Sequence, residues 1–96
     1  MLKDQVIRTL QAHQVALRSA GIRHLVLFGS VARGTERPES DIDLLGEFDE
    51  ELSLLDIVRL TEDLGELLGR PVDLIEERAL KSDARMSSRA DRVNAF

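Results

Sequence analysis

Residues 25–43 read Leu-Val-Leu-Phe-Gly-Ser-Val-Ala-Arg-Gly-Thr-Glu-Arg-Pro-Glu-Ser-Asp-Ile-Asp. Leu25 to Phe28 are four apolar residues without helical spacing, and Gly29 follows at once, so they predict a buried strand that ends where the backbone turns tightly. Ser30 fits an N-cap. A short helical turn through Val31, Ala32 and Arg33 would leave free N–H groups at its start, a place for phosphate oxygens that Gly29 lets come close. Asp41 and Asp43 stand two apart in the next apolar segment. On a strand both carboxylates then share one face, roughly 7 Å apart along it at about 3.3 Å per residue, while Ile42 and Leu44 point the other way. Carboxylates crowded on one face repel each other unless a cation lies between them, and hard oxygen donors of this kind suit magnesium bound together with a phosphate chain. The stretch has the chemistry of a metal–nucleotide site.

Working outward, the 96 residues suffice for one small domain with room for one site. A hydrophobic content of 43% and a charged content of 32% are those of a soluble globular chain, and no apolar run approaches the length that crosses a bilayer. Met1 to Gln5 carry no apolar signal segment, and the lack of cysteine removes disulfides, thiolate metal sites and thiol nucleophiles, so a cytoplasmic location is expected. A net charge of −5 argues against a general grip on nucleic acid, and an aromatic content of 3% leaves almost nothing on which bases could stack.

Before the opening stretch, Val6, Ile7, Leu10, Leu17 and Ala20 recur at three- and four-residue intervals and Gly21 follows, which predicts one amphipathic helix over 3–20. His13 falls at the margin of its apolar stripe and takes no functional role. After it, residues 41 to about 47 predict a second strand, and the acidic run Glu47, Asp49, Glu50, Glu51 a solvated loop. Ser53, with Asp56 three residues on, opens a long helix whose broad apolar face runs from Leu54 to Leu68 and which Gly69 stops. Pro71-Val-Asp-Leu-Ile-Glu predicts a third strand with proline at its first position, where no ladder donor is lost. The domain spans 1–80, and the 81–96 tail, with the thin apolar set Met86, Ala90, Val93 and Phe96, predicts a weak, fraying helix. The fold class is α/β: a small mixed sheet of three or four strands with the two long helices on one face and the acidic site on the other.

Asp73 lies between Val72 and Leu74, where a buried strand avoids an ionised side chain. Two readings stay open. Asp73 caps a loop or points to solvent from an edge strand, or the third strand lies beside the second and Asp73 joins Asp41 and Asp43 in a metal cage.

The ordered set of strand, Gly29-Ser30, ten-residue gap, Asp41-x-Asp43 and a later strand aspartate resembles the signature of DNA polymerase beta-like nucleotidyltransferases. The phrases Leu-Phe-Gly-Ser-Val-Ala-Arg-Gly, Ser-Asp-Ile-Asp-Leu-Leu and Leu-Leu-Gly-Arg-Pro-Val-Asp-Leu-Ile resemble the minimal nucleotidyltransferases (MNT) of prokaryotes over residues 1 to about 80. That resemblance implies that Asp41 and Asp43 bind two magnesium ions, that Gly29 and Ser30 hold the triphosphate of ATP, and that Asp73 shares a metal and helps deprotonate the attacking hydroxyl. Two metals about 3.5–4 Å apart stabilise both oxygens of an in-line displacement at phosphorus. Arg33 contacts phosphate or stays in solvent. Proteins of this type resemble the antitoxin half of modules whose partner is a HEPN-domain toxin, and members transfer AMP to a tyrosine of that partner, so a hetero-oligomer is expected. The tail is less apolar than the final helix of many members. Two other functions compete: a binding module that neutralises a toxin by occlusion without chemistry, and a small-molecule nucleotidyltransferase, which the missing second domain disfavours.

Overall fold

The sheet packs one face against the helices, and an irregularity in the first strand keeps apolar side chains at both of its ends on that face. The computed structural model describes residues 2–77 and 92–96. Among them the order is α1 (Leu2–Ala12), α2 (Gln14–Ser19), β1 (Ile22–Phe28), α3 (Gly29–Arg33), β2 (Ile42–Phe48), α4 (Leu54–Leu68), β3 (Val72–Glu76) and β4 (Val93–Asn94). The strands form one mixed sheet in the order β3-β2-β1-β4, with β2 antiparallel to β1, β4 antiparallel to β1, and β3 parallel to β2. A bulge between Ile22 and His24 shifts the alternation by one residue, so Ile22, Leu25 and Leu27 all turn inward. They meet Ile42, Leu44 and Phe48 of β2, and the helices close over this face with Val6, Leu10, Leu17, Leu60 and Leu64 in one cluster. Each such leucine contributes about 1.5–3 kcal/mol by leaving water. The expected α/β sheet with helices on one face is the one observed, and α3 adds Val31 and Ala32 to the same core.

The helix expected over 3–20 is two helices broken at His13. The His13 backbone sits near φ −103°, ψ 12°, its N–H reaches back to both Thr9 O and Leu10 O, and its ring Nδ1 lies 2.9 Å from Thr9 O. The side chain is exposed, outside the apolar stripe rather than packed at its margin. Gly21, at φ +108°, turns the chain into β1.

In α4, Ser53 and Asp56 form a complete capping box: Asp56 N–H donates to Ser53 Oγ and Ser53 N–H to Asp56 Oδ2. Its apolar face is wider than the surface it covers. Leu60 and Leu64 are buried, whereas Leu54, Leu55 and Val58 are exposed at 78%, 60% and 46%, so only part of the broad face is core. Gly65 lies mid-helix, where a Cβ would meet only Arg70 O at an ordinary 3.4 Å. Gly65→Ala is therefore expected to stabilise the chain by about 0.5–1 kcal/mol, read as a higher urea midpoint with an unchanged slope.

The end of the chain departs from expectation. Residues 78–91 lie outside the described part, and with them the helix expected around Met86 and Ala90. Residues 93–94 are strand, because Val93 and Asn94 pair with Leu27 and Val26 and so cover the free edge of β1. Ala95 and Phe96 are buried in the core, with Ala95 N–H donating to Leu25 O and Leu25 N–H to Phe96 O.

Candidate active site

The acidic face follows from strand register. In β2, Ile42 and Leu44 are fully buried against the helices, so Asp43 projects from the opposite face. Its ladder partners are Phe28 of β1 on one side and Asp73 of β3 on the other. Asp43 and Asp73 thus stand side by side on neighbouring parallel strands. β3 is the edge strand, and Asp73 is exposed from it, so both features weighed for this residue hold at once: an edge position open to solvent and a place beside Asp43. Asp41 precedes β2 by one residue rather than opening it, and is exposed.

Asp43 is half-buried, and its carboxyl pKa is raised above 3.8 by burial first, then by the negative charges of Asp73 and Asp41, with the Arg33 guanidinium pulling the other way. Asp43 therefore feels the charges of both other carboxylates, and Arg33 lies within reach of it. Among the described residues, no group of three or more His, Cys, Asp or Glu side chains is gathered tightly enough to hold a metal as it stands. The donor chemistry nonetheless fits a hard divalent cation: oxygen ligands, one of them in a partly desolvated position that disfavours its own charge.

Gly29 fits against that carboxylate. Its φ is +77°, and a Cβ built there would collide with Asp43 Oδ2 and lie 3.1 Å from Asp43 Cγ. Only glycine satisfies both the left-handed backbone and the contact. The positive φ turns the strand directly into α3, so the helix begins at Gly29 and the N-cap is Phe28, without a side-chain cap bond. Ser30 is inside the first turn, not the N-cap the sequence suggests. The other end of α3 closes with Gly34 N–H on Val31 O at 3.2 Å and Thr35 N–H on Ser30 O at 2.9 Å. Arg70 carries no signal in the sequence that marks it as part of this site. It lies between the end of α4 and β3, and its Nη1 donates to Arg37 O and Ser40 O, both at 3.1 Å, in the loop that leads to Asp41.

The chain matches the family model for a nucleotidyltransferase domain over residues 11–94. It is 41% identical over 80 residues to protein adenylyltransferase MntA of Thermococcus cleftensis, an alignment covering 82% of this chain and 81% of that one. A solved structure provisionally described as a minimal nucleotidyltransferase superposes with a TM-score of 0.71 at 40% identity, over 91% of this chain and 93% of that one. The same fold recurs, at a TM-score of 0.64 and 18% identity, in the structure of a tri-AMPylated Shewanella oneidensis HEPN toxin in complex with MNT antitoxin, over 99% of this chain and 69% of that one.

Proposed function

This chain belongs to the nucleotidyltransferase domain family, and we propose that it transfers AMP from ATP to a hydroxyl of a partner protein, a HEPN toxin that it thereby neutralises as an antitoxin. The observation that carries this reading is the register of Asp43 with Asp73 beside Gly29. A fixed carboxylate pair, glycine backbone against one of them and an open edge at the other supply the parts of a phosphoryl-transfer site and leave a second protein room to approach. The likeness to an adenylyltransferase favours AMP as the transferred group, and the AMPylated toxin bound to its MNT antitoxin favours a HEPN acceptor.

In this assignment Gly29 and Ser30 receive the triphosphate, and Arg33 adds positive charge on the same side. Asp41 and Asp43 would hold divalent cations, magnesium by donor type, with Asp73 as a further oxygen ligand. The ions, when bound, supply the charge that lets a triphosphate approach three carboxylates and that stabilises the displacement. Asp73, exposed at the sheet edge, takes the proton of the incoming hydroxyl. That oxygen bonds to the α-phosphorus, the bond to the β-phosphate bridge breaks, and pyrophosphate leaves. ATP supply places the reaction in the cytoplasm. No helix among the described residues is long and apolar enough to cross a membrane.

One observation speaks for a second reading, neutralisation by occlusion alone: Leu54, Leu55 and Val58 expose an apolar strip on α4 suited to protein contact. Nucleotide binding separates the two. Calorimetric titration of ATP is expected to give clear binding with magnesium and none in excess chelator, because three unscreened carboxylates repel the triphosphate. No binding under either condition favours occlusion, and equal binding in both removes the acidic face from the nucleotide site.

A further inference from the structure

Asp41 has no strand of its own to hold it. It sits in irregular backbone one residue before β2, at the end of the Gly34–Ser40 loop, and is exposed to solvent. Both peptide groups that flank it are nevertheless tied to two consecutive residues of the α4–β3 turn. On one side Arg70 Nη1 donates to Ser40 O, the carbonyl of the peptide entering Asp41. On the other, Ile42 N–H, the peptide leaving Asp41, donates to Pro71 O at 2.9 Å. Arg70 Nη1 also donates to Arg37 O, which accepts Ser40 N–H at 2.9 Å, while Arg37 N–H donates to Ser40 Oγ at 2.8 Å, so the 37–40 turn is closed and then bolted to residue 70.

We propose that Arg70 is a positioning residue that clamps the backbone of Asp41 and so fixes its carboxylate relative to Asp43 and Asp73. Proline at 71 suits this arrangement, since it lacks an N–H and its carbonyl is the acceptor used. Arg70 reaches the loop through charge-assisted bonds to two carbonyls from one nitrogen, and the strand that follows it carries Asp73 three residues on. One short turn thereby couples the placement of Asp41 to that of Asp73. A displacement of about 1 Å at such a group costs on the order of 10²-fold in rate.

The proposal of a role in transfer rests on the function proposed above, but the clamp can be read without it. Hydrogen exchange followed by mass spectrometry on Arg70→Ala and wild type is expected to show faster exchange confined to residues 35–42, with peptides from β1 and α4 unchanged. In the transfer assay kcat is expected to fall on the order of 10²-fold with the KM for ATP changed far less, and Arg70→Lys, which keeps a cationic donor, is expected to restore most of it. Should Arg70→Ala fail to fold, the comparison is made on Arg70→Gln and Arg70→Lys. Unchanged exchange over 35–42, or transfer at the wild-type rate, overturns the positioning role. A wild-type chain that transfers nothing while the exchange difference stands upholds the clamp and overturns the transferase assignment instead.

Discussion

Asp43→Asn is expected to abolish AMP transfer and leave the metal-free chain at least as stable as wild type. Asp43 is the middle carboxylate: it pairs in register with Asp73, follows Asp41 by two residues, and touches Gly29. Burial and both neighbouring charges push its carboxyl pKa upward against the opposing pull of Arg33, so its ionised form is disfavoured in the fold. The amide has nearly the same shape and no charge. It relieves that crowding, yet removes the central charge of the proposed cation site, between the positions of both neighbours. Activity and melting temperature in chelator should therefore move apart: transfer to background, melting temperature level or raised. A marked drop in melting temperature would mean that the carboxylate is structural.

Gly29→Ala is the second large effect, and here stability and activity should fall together. The left-handed backbone at Gly29 costs an L-residue about 1–2 kcal/mol. The added Cβ also has no room, since Asp43 Oδ2 occupies its position. A loss of about 2 kcal/mol corresponds, at about 4–8 °C per kcal/mol for a domain of this size, to on the order of 10 °C in melting temperature. The collision lands on the carboxylate itself, so transfer should drop on the order of 10²-fold or more at a temperature where the variant is still folded. Wild-type activity in Gly29→Ala would separate Asp43 from the chemistry.

Much of this site is legible in the chain because its parts are local. The apolar run ending at Gly29, the Asp-x-Asp spacing and the lone aspartate in an apolar strand each carry their meaning within a few residues. Pairing of Asp73 with Asp43 is not local, and the sequence alone left it open against an edge aspartate facing solvent. Other features are settled by contacts between distant parts of the chain. β4 is two residues long and has no periodicity to read; it is strand because the edge of β1 is free to pair with it. Nothing near Arg70 in the sequence marks its partners, which lie 33 and 30 residues away. The break at His13 involves neither glycine nor proline, and hydrophobic spacing runs straight through it. The pattern of α4 predicts a broad apolar face but not which part the sheet covers, and Leu54, Leu55 and Val58 are the part left open.

The central claim is that the acidic face performs chemistry on a protein acceptor. Its most direct test incubates the wild-type chain and Asp73→Asn separately with ATP, magnesium and a HEPN-domain toxin, the acceptor proposed above, and follows the intact mass of the toxin. The account predicts a gain of AMP on the toxin with the wild type, and its loss by about 10²–10⁴-fold in Asp73→Asn, the range for removing a general base. Neutralisation of the toxin by both chains with no change in its mass would contradict it.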